Sequence, residues 1–228
     1  MSRSALVALI IANAFVAFQA FRYEWWYYEV MLIYWVEVVI LGFYNVLRML
    51  VVGLVGAAPL GAWAARWVDP GSALNRLALT AIGVGFFVVK FGAFALTIGL
   101  FVLMLPAFLT VESDGSGSAL HRALLAAGPG FLIAAGVLGL SHGVSFARNF
   151  LGGREYDRID VVTLAFWPYV RMSLVAAILL VGLAIPGLLP GVGRHAAFAG
   201  VMVLLKLGVD AMSHVFEHRR LAAERTNA

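Results

Sequence analysis

Two histidines close to the end of the chain have a spacing that suits metal binding. His214 and His218 are separated by three residues, so on a helix their imidazoles lie one turn apart on the same face and can bind a single ion. Asp210, one turn earlier, is placed either as a further ligand or as the carboxylate that orients an imidazole. His142 would complete a site with one position open for water. The pattern predicts a divalent metal such as zinc, which lowers the pKa of its bound water toward about 7.

Candidate catalytic groups accompany these ligands. Glu37 is the predicted general base, and Arg171 is predicted to steady developing negative charge, a role that Ser145 or Tyr169 is also suited to fill. Together they predict metal-dependent hydrolysis of a lipid or peptide bond near the cytoplasmic leaflet. The alternative is that His214 and His218 are interfacial histidines at a helix exit, since the pair lacks the glutamate of the H-E-x-x-H motif.

Five charged residues lie inside long apolar runs, and they call for a physical explanation. They are Glu37, Lys90, Arg171, Lys206 and Asp210. At mid-bilayer a charge costs about 2.5–3.5 kcal/mol, so five unpaired charges would cost roughly 12–18 kcal/mol, as much as the whole stability of a typical fold. They must pair, become neutral or touch water. Such residues mark a functional site by default, and the alternative is a set of ion pairs that lock helices together.

Helical spacing places polar side chains on one face of each of three predicted helices. These faces carry Tyr34, Glu37 and Asn45; His142, Ser145 and Asn149; and Lys206, Asp210, His214 and His218. Lys90, Glu155 and Tyr169 are the other predicted members of this polar network. The sequence therefore predicts one shared intramembrane site near the cytoplasmic side.

The composition requires that these helices lie in a membrane. Apolar residues make up 63% of the 228 and charged residues 12%, too few polar side chains to cover a water-facing surface, so a soluble enzyme is excluded. The absence of cysteine excludes disulfides and thiolate metal sites. A span needs about 20 mostly apolar residues. The sequence predicts one all-α transmembrane domain over 1–228, with six spans at 4–22, 27–51, 78–108, 124–148, 161–186 and 196–217.

The distribution of arginine in the loops predicts the orientation. With a cytoplasmic N-terminus, ten arginines fall on that side and three on the other, so the positive-inside rule places both termini in the cytoplasm of an inner-membrane protein. Residues 57–67, with Trp63, Arg66 and Trp67, have the pattern of a short interfacial helix between spans two and three. The third apolar run is too long for an upright helix and is expected to tilt, bend near Gly99 or Pro106, or project from the bilayer.

Several of these motifs resemble those of a known family. The chain has Tyr-Trp-Val-Glu at 34–37, Ser-His-Gly-Val-Ser-Phe at 141–146 and Lys-x3-Asp-x3-His-x3-His at 206–218. With these motifs it resembles an uncharacterised family of prokaryotic polytopic membrane proteins, which implies no activity. It is more faintly similar to the membrane hydrolases that include alkaline ceramidases and adiponectin-type receptors. That similarity implies a zinc ion held by His142, His214 and His218.

Three functions follow as alternatives from the sequence. The first is an accessory or assembly subunit of a larger membrane complex, with membrane lipids and other membrane subunits as partners. The second is the metal-dependent intramembrane hydrolase described above. The third is a proton-coupled transporter that uses the intramembrane charges as a proton relay. The sequence shows no inverted repeat, the feature that would support a transporter. Nucleic acid is not expected as a partner, because the basic residues form no dense patch.

Overall fold

The computed structural model is helical throughout the part of the chain that it describes, with no strand there. That part comprises residues 3–23, 25, 27–56, 72–109, 119–166, 168–169, 172–173, 176–177, 180, 200–202, 204–206 and 208. The predicted interfacial helix at 57–67 lies outside these residues. The all-α class predicted from the composition is confirmed for the described residues.

Four long helices form most of the described structure. They are α1 (Arg3–Arg22), α2 (Tyr27–Leu54), α3 (Ala73–Leu109) and α4 (Ala119–Ser145). A π-helix at Phe146–Leu151 and a 3-10 turn at Glu155–Asp157 follow α4. The described residues from 161 to 180 form a fifth helical segment, apart from gaps, and those from 200 to 208 a sixth. The first four predicted spans overlap α1 to α4, whereas only part of 161–186 and of 196–217 lies within the described residues.

Among the described residues, three helices are long and apolar enough to cross a membrane. These candidate spans are Glu29–Leu54, Ala73–Met104 and Gly128–Leu151, with 26, 32 and 24 residues, and a shorter apolar helix covers Val7–Arg22. All three exceed the roughly 20 residues that a bilayer requires. The described residues therefore have the helix lengths and the hydropathy of a polytopic membrane protein.

Two of the long helices depart from a plain upright span. α3 runs for 37 residues, so its length of about 55 Å must be accommodated by tilt, bending or projection. A kink lies in α4, where Gly128 has φ 57° and ψ −177° immediately before Pro129. Glycine adopts this positive φ without steric cost, and proline is favoured at the first position of the helical stretch that follows.

α2 lies at the centre of the described bundle and packs closely against α3. The close approach depends on glycines: a Cβ at Gly53 would lie 2.6 Å from Cβ of Thr80, and one at Gly99 would lie 2.5 Å from Nε1 of Trp35. The Trp35 indole also donates a hydrogen bond to the Ala95 carbonyl at 2.8 Å. Without a hydrophobic driving force between helices in lipid, such small-residue contacts and interhelical hydrogen bonds hold spans together.

Arg76, near the start of α3, caps the end of α2. Its Nη2 donates to the carbonyl of Val52 at 3.2 Å and to that of Gly56, and its Nε donates to Gly53 at 3.4 Å. The last carbonyls of a helix have no partner within the helix. A guanidinium satisfies several of them at once and is also favoured by the helix dipole.

Replacing Arg76 with alanine is therefore expected to lower the free energy of unfolding by about 1–2 kcal/mol. Lysine at this position should recover only part of the loss, because a single ammonium cannot reach three carbonyls with the geometry of a guanidinium. The measurement is reversible unfolding in mixed detergent micelles. Arg148→Ala, which removes an exposed arginine, is the control, and an equal effect of both alanine variants would contradict the capping role.

Candidate functional site: a buried ionic cluster

Glu37 is the centre of a buried cluster of polar side chains inside the helix bundle. It lies in α2 and is 2% exposed. Its Oε2 lies 3.0 Å from the Lys206 ammonium of the sixth helical segment, and its Oε1 lies 3.4 Å from Nε2 of His142 in α4. Three helices that are distant in sequence therefore meet at one carboxylate.

Two further residues complete the surroundings of Lys206. Its ammonium donates a hydrogen bond of 2.8 Å to Oδ1 of Asn13 in α1, and it lies 5.7 Å from the centroid of the Tyr34 ring. Tyr34 precedes Glu37 by three residues, so both point from the same face of α2. Asn13 is fixed in turn by its own hydrogen bond to the Leu9 carbonyl at 3.0 Å. The lysine is thus held by a carboxylate, an amide and an aromatic face.

We define the ionic cluster as Asn13, Tyr34, Glu37, His142 and Lys206. All five side chains are buried, with exposed fractions of 2%, 2%, 2%, 8% and 2% respectively. In such surroundings a charge is tolerated only when it is paired and hydrogen-bonded. The arrangement meets that requirement, because an acid, a lysine and a titratable imidazole are in contact.

Asn13 was not among the residues predicted from the sequence. It is one of two amides, with Gln19, in a first run that is otherwise mostly apolar, a position where an uncharged polar group is easily dismissed. In lipid an asparagine side chain is a strong interhelical contact, because its alternative is to remain without a hydrogen bond. Asn13 thereby brings α1 into a site that the sequence assigned to other helices.

A second set of polar contacts lies further along the same helices. Asn45, two turns after Glu37, donates a hydrogen bond of 2.9 Å to the Leu164 carbonyl of the fifth helical segment. Asn149 donates to the Ser145 hydroxyl at 3.3 Å, across the junction of α4 and the π-helix. These contacts join α2 to the fifth segment and fix the end of α4.

Two predicted members of the network have described contacts elsewhere. The Tyr169 ring packs edge-on against Phe87 and Phe91, at centroid distances of 6.4 and 5.9 Å. The Lys90 ammonium lies 5.9 Å from the Phe86 ring centroid, and Lys90 is exposed on α3. These contacts do not join Tyr169 or Lys90 to the ionic cluster. A third predicted member, Glu155, lies in the 3-10 turn that follows the π-helix.

The predicted metal centre falls mostly outside the described residues. Of its four predicted ligands only His142 is described, while Asp210, His214 and His218 are not, and neither is Arg171. Within the described part of the chain, no three His, Asp or Glu side chains converge as metal ligands. A metal ion at His142 would have to bind Nδ1 or enter between Nε2 and Glu37, close to the Lys206 cation.

The cluster limits the chemistry that Glu37 can perform. A general base must be free to take a proton from water or substrate. The Glu37 carboxylate instead faces a lysine ammonium at 3.0 Å and an imidazole at 3.4 Å, so both of its oxygens already have a partner. This geometry suits ion pairing between helices better than proton abstraction.

Three long apolar helices and a buried ionic cluster, both within the described residues, are features typical of polytopic membrane proteins. A family model described as a family of unknown function, DUF6498, matches residues 1–227, and the chain belongs to that family. No curated protein and no solved structure matches the chain. The fainter similarity to alkaline ceramidases and adiponectin-type receptors is therefore without support.

Proposed function

We propose that this protein is an accessory or assembly subunit of a larger complex in the inner membrane. In this proposal its ionic cluster holds the bundle in one arrangement, so that the outer helix faces can bind partner helices and lipids. The observation that carries the proposal is the position of Glu37 between Lys206 and His142. In a catalytic or transport site, this carboxylate would instead have to release these two partners and contact a substrate, water or a transported proton.

The proposal includes six spans with both termini in the cytoplasm. Basic residues support this orientation: Arg76 lies against the end of α2, Arg148 in the π-helix, and Arg154 and Arg158 just beyond it. The backbone at Tyr156 adjoins Gly56, so these arginines share one end of the bundle. Arg22 is the last residue of α1 and lies at the opposite end of the bundle, with its guanidinium over the Tyr23 ring. Such a bias is typical of the cytoplasmic side of an inner-membrane protein.

The test is the state of the full-length chain in its native membrane. Cells that express the tagged chain at its natural level are cross-linked, extracted in mild detergent and analysed by native mass spectrometry. The expected result is a particle in which a second membrane protein is present in a fixed ratio to this chain. Deletion of the chain should reduce the amount of the assembled particle. A polytopic protein of similar abundance, extracted in parallel, is the control.

Two outcomes would contradict the proposal. A monodisperse chain without a protein partner, and with no change in any membrane complex after deletion, would exclude the subunit role. A stoichiometric divalent metal that is lost on replacement of His214 or His218 with alanine would favour the hydrolase instead.

A further inference from the structure

The face of α3 that points away from the bundle carries a regular row of side chains. Its members alternate steps of four and three residues, the spacing of a coiled-coil seam, and all of them are exposed: Phe86, Lys90, Ala93, Thr97, Leu100 and Met104. We call this row the Lys90 seam. Ala93 and Thr97 are small enough to let another helix approach closely, and the Thr97 hydroxyl is bonded to its own backbone at the Ala93 carbonyl.

The packing of α3 on α2 places Lys90 level with the middle of the candidate span of α2. Its neighbour Phe91 packs against Gly42, where a Cβ would lie 3.0 Å from Cδ1 of the ring. Gly42 is 13 residues after Glu29 and 12 before Leu54, the two ends of the candidate span of α2. At 1.5 Å per residue, each end is about 18–20 Å away. Lys90 therefore lies at a depth where its four-carbon stem does not reach either headgroup region.

A lysine at this depth needs a counter-charge that the described residues do not supply. No described carboxylate lies within 4.0 Å of the Lys90 ammonium, and its described contact is the face of Phe86. The aromatic face offsets only part of the cost of holding a cation in lipid. The two described acids of the α2 span, Glu29 and Glu37, are both buried in the bundle.

We propose that the Lys90 seam is the contact surface for a membrane helix of a different protein that carries a carboxylate at mid-bilayer depth. This inference rests on the proposed subunit role, since it specifies the chemistry of the partner. A second copy of this chain does not fit as the occupant, because a twofold contact along the seam would bring two lysines together. A single charged residue in such a seam fixes the register and the choice of partner.

The test measures binding of a synthetic membrane helix to the full-length protein in phosphatidylcholine vesicles. The probe is a leucine-alanine helix with one central glutamate, and matched helices carry glutamine or lysine there. Because the chain has no cysteine, one introduced at exposed Arg158 accepts a single dye for energy-transfer titration. The glutamate helix is expected to bind the Arg158→Cys protein at least tenfold more tightly than the same protein with Lys90→Met. The glutamine and lysine helices should bind the Arg158→Cys protein with the same affinity whether or not it also carries Lys90→Met.

A relocated charge serves as the matched control. In the double variant Lys90→Met with Val89→Lys, a lysine stays at the same depth but lies off the seam, and the glutamate helix should again bind at least tenfold more weakly. Equal binding to the relocated charge, or equal binding of the glutamate and glutamine helices, would overturn the inference. So would self-association that depends on Lys90, or competition by added phosphatidylglycerol, since these assign the seam to a second copy or to lipid phosphate.

The vesicle experiment and the native-membrane experiment can fail separately. If the chain is found in a complex but the glutamate helix binds equally well with and without Lys90, the proposed role of the Lys90 seam is rejected and the subunit role is retained. A chain without any partner in its native membrane would reject the subunit role, whatever the synthetic helix does.

Discussion

Replacing Lys206 with methionine is expected to lower the free energy of unfolding by about 3–5 kcal/mol, the usual cost of breaking a buried ion pair. Methionine is similar to lysine in length and is equally unbranched, so the packing volume is nearly kept while the cation is lost. The 3.0 Å pair with Glu37 and the 2.8 Å bond to Asn13 both disappear. Glu37 then remains in a buried site with its main positive partner removed. Reversible unfolding in mixed micelles measures the change.

Two variants separate the loss of charge from the loss of packing. The double variant Glu37→Gln with Lys206→Met removes both charges and should recover at least half of the stability, because a neutral buried pair carries no uncompensated charge. Lys90→Met makes the same exchange outside the cluster and should not lower the free energy of unfolding, because it removes a cation that no described carboxylate pairs. If Lys206→Met changes the free energy of unfolding as little as Lys90→Met does, the cluster does not hold the helices together.

Replacing Gly53 with alanine is expected to destabilise the protein by about 3 kcal/mol, the upper part of the usual range for overpacking. The added methyl group would overlap the side chain of Thr80, which is 1% exposed and hydrogen-bonded to the Arg76 carbonyl at 2.7 Å. Thr80 has no room to move away, so α2 and α3 must separate. The same unfolding measurement applies, and separation should also weaken the Trp35 bond to Ala95.

The control for Gly53→Ala lies on the opposite side of α3. A Cβ at Gly85 would meet nothing within 4 Å, so Gly85→Ala should be neutral or stabilise the helix by up to about 1 kcal/mol. Thr80→Gly added to Gly53→Ala should restore part of the loss by removing the side chain in the way. Similar changes in stability for alanine at Gly53 and at Gly85 would show that helix propensity, and not the close approach of α2 and α3, determines the effect of the substitution.

The cost of an isolated charge in lipid predicts that charges pair, but it does not predict with which partners. It required that Glu37 meet a cation, and the structure places Lys206 and His142 beside it. It also predicted a place for Lys90 in the network, yet Lys90 is exposed on α3. A helix that is apolar on every side has no amphipathic signal to tell its buried face from its lipid face. The direction in which Lys90 points follows from the packing of its neighbour Phe91 against Gly42, which a single sequence does not reveal.

Helix positions were easier to predict than helix shapes. Hydropathy placed α2 at 27–51, against Tyr27–Leu54 in the structure, because the length of an apolar run is fixed by the bilayer. The kink at Gly128 was not predicted, although Gly-Pro at 128–129 is a signal for it. The roles assigned to Arg171, Asp210, His214 and His218 stay predictions, since these residues lie outside the described part of the chain.

The bond between Asn13 and Lys206 spans 193 positions of the chain, and this separation sets an order for biogenesis. Glu37 enters the membrane 169 residues before Lys206 is synthesised, the difference between 206 and 37. At 5–20 residues per second, translation takes roughly 10–30 s to supply the lysine. Until then the nascent chain holds a carboxylate that only the insertion machinery, water or a neutralising proton can shelter. Chains that stop before Lys206 would lack the cation that Glu37 and Asn13 contact in the folded protein.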